Sequence, residues 1–369
     1  MKEMRFSSFV DAISTKNEDV VFITSVNYEQ RSLEWLKVVK NILFQSTFKK
    51  NLNLYRLKIE NTRTISILNH RIESQELELE RQIKLIREMM EKENNGITLN
   101  LSKCPLSLGR LPEVEVPISE LRAIANSGKP FQIIFDITAL PRRILLLYMD
   151  AYVKLVTKGI VSSIYIVYTW PLRYPIAGRS TNTGSLRIEN SNSTFSEFIN
   201  EADEVHGIMT AGRDGSIGRL FLESIGKSNR VDTFFYVKKD DYLFALSNML
   251  NNSDVLSRID SSTTINYYLS ISRGYEVIMK KIKDILDRWS SSNTGSSEKV
   301  LLIAPLGPKP MVITAFMGSY YAEEFFKRNG LKFKSGITHV TSLQQNDLYS
   351  IGSKETSVYK LNIDDIQVE

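Results

Sequence analysis

Short runs of consecutive apolar residues recur along the chain and alternate with segments whose apolar positions repeat every three to four residues. The runs suit strands buried on both faces, and the longer periodic segments suit helices packed between them. In the N-terminal half the runs are Val20–Thr24, Leu54–Ile59, Ile97–Leu101, Phe131–Asp136 and Ser163–Tyr168. Helical patterning falls at Ser32–Val39, at about 64–92, near Ile118–Ala125 and at about Pro141–Val156. The stretch at 64–92 is rich in Glu, Leu, Ile, Arg and Gln, has no Gly or Pro, and is long for one helix. The same order returns in the C-terminal half. Its runs are Val205–Thr210, Val231–Val237, Thr264–Leu269, Val300–Ile303 and Ile337–Thr341, with helices at about 216–225, 242–250, 275–289 and 311–328.

Five strands alternating with helices, twice over, predict an α/β chain of two tandem Rossmann-like halves. Each is expected to be a mostly parallel five-stranded sheet with helices on both faces. One large undivided α/β sheet is the alternative. A stretch rich in Gly, Ser, Thr and Asn from about Ile176 to Thr194 reads as a linker, giving an expected division into 1–175, a linker at 176–204, and 205–369.

Composition adds limits. The chain has 369 residues, 42% hydrophobic and 24% charged, which fits two ordinary globular domains and argues against a disordered or fibrous chain. No apolar stretch is long enough for a membrane span and the first residues lack a signal-peptide apolar core, so a cytoplasmic protein without membrane association is expected. Cys104 is the only cysteine, which excludes an intrachain disulfide and suits a reducing compartment. A net charge of +5 suits an anionic partner, although no dense basic block carries it. The three histidines, His70, His206 and His339, are scattered, and neither H-x-H nor C-x-x-C occurs. Neither a metal nor a cofactor is therefore expected.

In doubly wound sheets ligands bind beyond the carboxyl ends of the first and fourth strands, where strand order reverses. Those loops are 25–32 and 136–143 in the first half, and 211–219 and 304–310 in the second. Each joins small or hydroxyl residues to a base and opens a helix, the chemistry of anion capture by free backbone N–H groups and a cationic side chain. The candidate ligand-binding residues are Asn27, Glu29, Arg31, Asp136, Thr138 and Arg142 in the first half. In the second they are Gly212, Arg213, Asp214, Ser216, Gly307 and Lys309. Gly212-x-x-Gly215-x-x-Gly218 would permit close backbone approach and left-handed turns, but it is not the dinucleotide fingerprint. The loops after the fifth strands add Trp170, Arg173 and Tyr174, and Tyr349 and Ser350, aromatics beside polar groups that could stack on a base. Structural readings stand beside these. Asp136, Thr138 and Ser216 suit helix caps, Arg31 and Arg142 ion pairs, Trp170 and Tyr174 packing, and Pro141 and Pro310 a first helical turn.

At Asp136-x-Thr138-x-x-x-Arg142, directly after an apolar strand, the sequence resembles the fourth-strand motif of CRISPR-associated Rossmann-fold (CARF) domains: an acidic or amide residue, a hydroxyl, then a base. Leu306-Gly307-Pro308-Lys309 stands at the corresponding place of the second half, without the acid and with the base one position earlier. A fused pair of such units is also similar to the SAVED arrangement of bacterial anti-phage systems. The resemblance implies a sensor that binds a nucleotide or oligonucleotide messenger and acts through a protein partner or a homo-oligomer, for which the helix at 64–92 is either the natural docking arm or a solvated helix packed along its own domain. Two other functions stay open. One is a metal-independent enzyme cleaving a nucleotide phosphoester, with Glu29, Asp136 or Asp214 as general acid or base. The other is an adaptor or structural subunit of a defence complex.

Overall fold

A computed structural model describes residues 1–27, 29–45, 47–48, 52–60, 66–93, 99–107, 130–172, 185–188, 195–200, 202–212, 215–226, 230–237, 242–257, 263–292, 298–330, 332–341 and 352–361. The chain forms two compact units, one of Lys2–Ile176 with Gln344–Ile363, the other built on Ala177–Leu343.

The first unit runs β1 (Lys2–Met4), α1 (Phe6–Thr15), β2 (Asp19–Ser25), a 3-10 turn at Gln30–Leu33, and α2 (Trp35–Leu43). It continues through β3 (Leu52–Glu60), α3 (Ser66–Glu93), β4 (Leu99–Ser107), β5 (Phe131–Asp136), α4 (Arg142–Thr157) and β6 (Val161–Thr169). Strands β6, β5, β2, β3 and β4 are parallel neighbours in that order, the Rossmann half-order in which strand one lies beside strand four. Every residue of β2 after Asp19 and every residue of β5 is buried, as a strand covered on both faces requires. Phe22, Leu54 and Ile134 point to one face, where α1, α2 and α3 pack. Phe135 points to the other and meets Tyr148 and Tyr152 of α4 at ring distances of 5.7 and 5.2 Å.

The second unit runs β7 (Ser185–Ile188), α5 (Phe195–Asn200), β8 (Glu204–Ala211), α6 (Gly215–Ile225), β9 (Arg230–Tyr236), α7 (Tyr242–Asn251) and α8 (Ser253–Leu256). Then follow β10 (Thr263–Tyr268), α9 (Ile271–Ser291), β11 (Lys299–Pro305), α10 (Pro310–Asn329) and β12 (Phe333–Thr341). Strands β10, β9, β8, β11 and β12 are parallel in the same half-order. Helices α5, α6 and α8 contribute to a core on one face with Val205, Met209 and Phe235. On the other, α9 buries Ile278, Ile282, Ile285 and Trp289 at helical spacing, and Gly318 of α10 lets the two helices close, since a Cβ there would stand 2.3 Å from Ile282 Cδ1.

The expected five-strand cores and their parallel order are present, and three further strands surround them. The stretch expected as a linker, 176–204, contains β7 and α5, and β7 pairs antiparallel with β12. The stretch expected to end the second domain contains β13 (Thr356–Leu361), which pairs antiparallel with β6 of the first sheet, and β1 pairs antiparallel with β13. The physical reason is edge protection: β6 is buried along its length, and β13 covers the backbone groups it would otherwise leave open. Helix α3 matches the expected 64–92 and packs along its own unit, the second of the two readings. Leu79, Ile83, Ile86 and Met90 bury one stripe against Leu52, Leu54 and Leu99, while Leu77, Leu85 and Met89 face outward. The helix expected near Ile118–Ala125 lies outside the described residues. Among the described residues, no helix is long and apolar enough to cross a membrane.

Candidate functional site

In each unit the chain leaves strand one toward one face of the sheet and strand four toward the other, which makes the carboxyl ends of β2 and β5, and of β8 and β11, the switch points at which such sheets bind ligands. The candidate loops lie at these rims.

In the first unit Asp136 ends β5 and is 1% exposed. Its Oδ2 accepts from the Thr24 hydroxyl at 2.8 Å, and its Oδ1 from the backbone N–H of Thr138 at 3.0 Å. The Thr138 hydroxyl in turn accepts from the N–H of Thr169 at 3.0 Å. The acid and hydroxyl of the motif thus lace together the ends of β2, β5 and β6, and Asp136 closes a turn of the kind Asp favours by reaching the N–H two residues on. Asn27 donates from Nδ2 to the carbonyl of Ala139 at 3.3 Å, while its Oδ1 accepts from Glu29 N–H at 2.8 Å.

Arg31 and Glu29 were expected to meet a ligand, but the structure buries them against each other: Arg31 Nε lies 2.6 Å from Glu29 Oε2, with 0% and 4% of their side chains exposed. Arg31 Nη1 also donates to the Thr169 carbonyl at 2.6 Å and to the Tyr168 hydroxyl at 3.1 Å. Its guanidinium carbon lies 5.3 Å from the Tyr168 ring centre. A charge taken this far from water has to be paired and hydrogen-bonded, and Glu29, Tyr168 and Thr169 do this at Nε and Nη1. Trp170 was expected to stack on a base and instead packs edge-on to Tyr168 at 5.0 Å, 4% exposed, its indole N–H donating to Ser357 of β13 at 3.1 Å. Arg142 stands differently: half-buried, it is the first residue of α4, after Pro141 at the cap position.

In the second unit the Thr210 hydroxyl accepts from Gly307 N–H at 3.1 Å, so a threonine one residue from the end of strand one grips the strand-four exit in both units. Gly212 and Gly215 do allow close backbone approach, but to this chain's own carbonyls. A Cβ on Gly212 would stand 1.9 Å from the Leu306 oxygen, and one on Gly215 2.0 Å from the Asn251 oxygen. Asn252 secures the arrangement, donating from Nδ2 to the Gly212 carbonyl at 2.6 Å. The expected left-handed turns are absent at Gly212, Gly215 and Gly218; positive φ among the described glycines occurs at 159, 226, 330 and 352. Ser216 is exposed in the first turn of α6, Gly307 is buried, and Lys309 is half-buried at the cap of α10, before Pro310. Arg173, Tyr174, Arg213, Asp214, Tyr349 and Ser350 lie outside the described residues.

In both units the helix after strand four opens with a proline beside a base, and the cap residue, Pro141 or Lys309, makes no side-chain cap hydrogen bond. In α10 the N–H groups of Met311 and Val312 donate to the carbonyls of Pro308 and Lys309 at 2.8 and 2.9 Å. Sequence reasoning missed Thr24, Thr210, Asn252 and Tyr168 as the residues that hold these rims. A hydroxyl at the last turn of an apolar strand was the available signal for the two threonines.

Away from the rims, a charge cluster around the buried His206 and Asp232 lies toward the amino ends of β8 and β9. His206 Nε2 contacts Asp232 Oδ2 at 2.7 Å, Lys281 Nζ lies 3.0 Å from Asp232 Oδ1, and Arg288 Nη2 lies 3.4 Å from His206 Nδ1. Arginine can only donate, so Nδ1 accepts and the Nε2–H donates to the carboxylate. Burial pushes the Asp232 carboxyl up, but the hydrogen bonds from His206 and Lys281 and the Lys281 charge outweigh it and hold the group below its ordinary value. No group of three His, Cys, Asp or Glu side chains that could hold a metal ion occurs among the described residues. Compared with known protein families, the chain matches no family model, and compared with curated proteins it matches none.

Proposed function

We propose that this chain is a binding protein for a phosphate-bearing ligand of nucleotide or oligonucleotide type, taken up at the switch-point rims and serving as a sensor in bacterial anti-phage defence through a partner or oligomer. The observation that carries this reading is the repeated rim. In both units a threonine of strand one locks the strand-four exit, and a helix whose cap residue makes no side-chain cap bond follows, opening with a proline and a base. A helix N-terminus with an adjacent cation is the means by which Rossmann-like folds hold phosphate. The resemblance of Asp136-x-Thr138-x-x-x-Arg142 to the CARF motif supports the choice of ligand class and the setting in defence. Asp136, Thr138, Asn27, Glu29 and Arg31 act in this reading by shaping the rim, and Arg142 and Lys309 by meeting the anion. Binding is favoured over cleavage because the described candidate acids, Glu29 and Asp136, are already engaged, by Arg31 and by Thr24 and Thr138.

Calorimetric titration with mononucleotides, cyclic dinucleotides and linear and cyclic oligonucleotides tests it. At least one class is expected to bind and to be recovered intact. Arg142→Ala and Lys309→Ala are each expected to weaken that binding by about 1.5–3 kcal/mol, the range for a hydrogen bond to a charged group. No binding across the panel, or affinity unchanged in both variants, refutes it.

A further inference from the structure

The edges of the two sheets are finished differently. In the first unit the outer strands are β1, three residues long with Lys2 and Glu3, and β4, which contains Lys103 and Pro105. In the second, β7 closes one side with four residues that include Arg187. Brevity, charge and proline are the usual means of keeping an edge strand from pairing with another chain. β10 closes the other side of that sheet and has none of them. Thr263-Thr264-Ile265-Asn266-Tyr267-Tyr268 is six residues long, uncharged and rich in β-branched and aromatic side chains. It pairs with β9, and among the described residues no strand pairs with its other side. Around it the surface is apolar: Tyr267 is 52% and Leu269 57% exposed, and α7, which packs against β9, exposes Leu246 and Leu250 one turn apart.

A row of open backbone donors and acceptors calls for a strand, and the side chains say which one. We propose that β10 is a homodimer seam, in which a second copy of the chain lays its own β10 antiparallel to this one about a two-fold axis through Asn266. Such an axis stands perpendicular to the sheet and keeps opposed side chains on one face, so it passes through a residue. At Asn266 it sets Ile265 opposite the second copy's Tyr267, Thr264 opposite its Tyr268, and Thr263 opposite its Leu269. Aromatic rings then face β-branched side chains, a favourable cross-strand pairing, and no like charges meet because the strand has none. The contact is self-complementary, as closed two-fold assembly requires. It joins two six-stranded sheets into one and is independent of whether the rims bind a ligand.

Light scattering of the full chain is expected to give twice its 42.2 kDa mass. Asn266→Lys and Asn266→Asp each place like charges face to face on the axis, so each alone is expected to fall to the single-chain mass. An equimolar mixture of the two is expected to return to the doubled mass. A wild-type chain at the single mass, a variant that stays doubled, or a mixture that stays single overturns the proposal. A second measurement needs no charge change. In a Cys104→Ser background, Asn266→Cys is expected to form a disulfide-linked dimer on mild oxidation, whereas Thr264→Cys, which faces Tyr268 of the second copy, is not. Equal linkage at both positions, or none at either, overturns it.

Discussion

His206 and Asp232 lie on neighbouring strands beneath α9, and the cluster they form with Lys281 and Arg288 makes one carboxylate a determinant of stability. The folded state holds Asp232 below its ordinary value, so its contribution is fully present above the unfolded value of about 3.9 and is lost as pH falls through the lower, folded value. Removing the buried carboxylate leaves the buried His206 and the half-buried Lys281 without their partner, at a cost of about 3 kcal/mol. Asp232→Asn is therefore expected to lower the urea-unfolding stability by about that amount at pH 7. Between pH 5 and pH 2 it is expected to lose less stability than the wild type does. Curves for the two proteins that run parallel across this range would show that the cluster is not the source.

Helix α3 separates buried from exposed apolar positions on one element, and the two sets should answer differently to truncation. Ile83→Ala or Ile86→Ala removes atoms packed against the sheet and is expected to cost about 2–5 kcal/mol, whereas Leu85→Ala on the outer face should stay within about 0.5 kcal/mol. Chemical denaturation of the three variants measures the contrast. The same division between covered and open positions explains what the sequence made legible. Strands β2, β5, β8 and β11 are covered on both faces and stand out as apolar runs. Strands β1 and β7 are only three and four residues long, and β13 mixes buried with half-exposed positions, so none carries that signal. At the rims Asp136, Thr138 and Arg142 were readable as acid, hydroxyl and base after a strand. Their partners were not, because Thr24 is 112 residues from Asp136 and Thr169 is 31 from Thr138, and no local spacing ties them. The glycines at 212 and 215 were visible as a pattern, but their purpose depends on the carbonyls of Leu306 and Asn251, which only the fold brings near.

At the scale of the molecule, the first sheet is assembled from two distant parts of the chain. Val358, Tyr359 and Leu361 of β13 are buried beside β6, and Thr169 and Trp170 are bonded to Thr356 and Ser357. Ending the chain after residue 351 should strip β6 of its neighbour, expose an unprotected buried strand and open the wall that holds Trp170. The expected result is loss of soluble protein, or a melting temperature lowered by at least several degrees, measured by differential scanning fluorimetry. A truncated chain that melts with the wild type would mean that β13 contributes little.

Because β13 comes after the entire second unit, a ribosome must translate that unit before the first sheet can close. During translation the nascent N-terminal unit waits with one flank open, and chaperones have that interval in which to hold it. A stop codon anywhere in the second unit then spoils both units, so the first sheet is intact only once translation has passed β13.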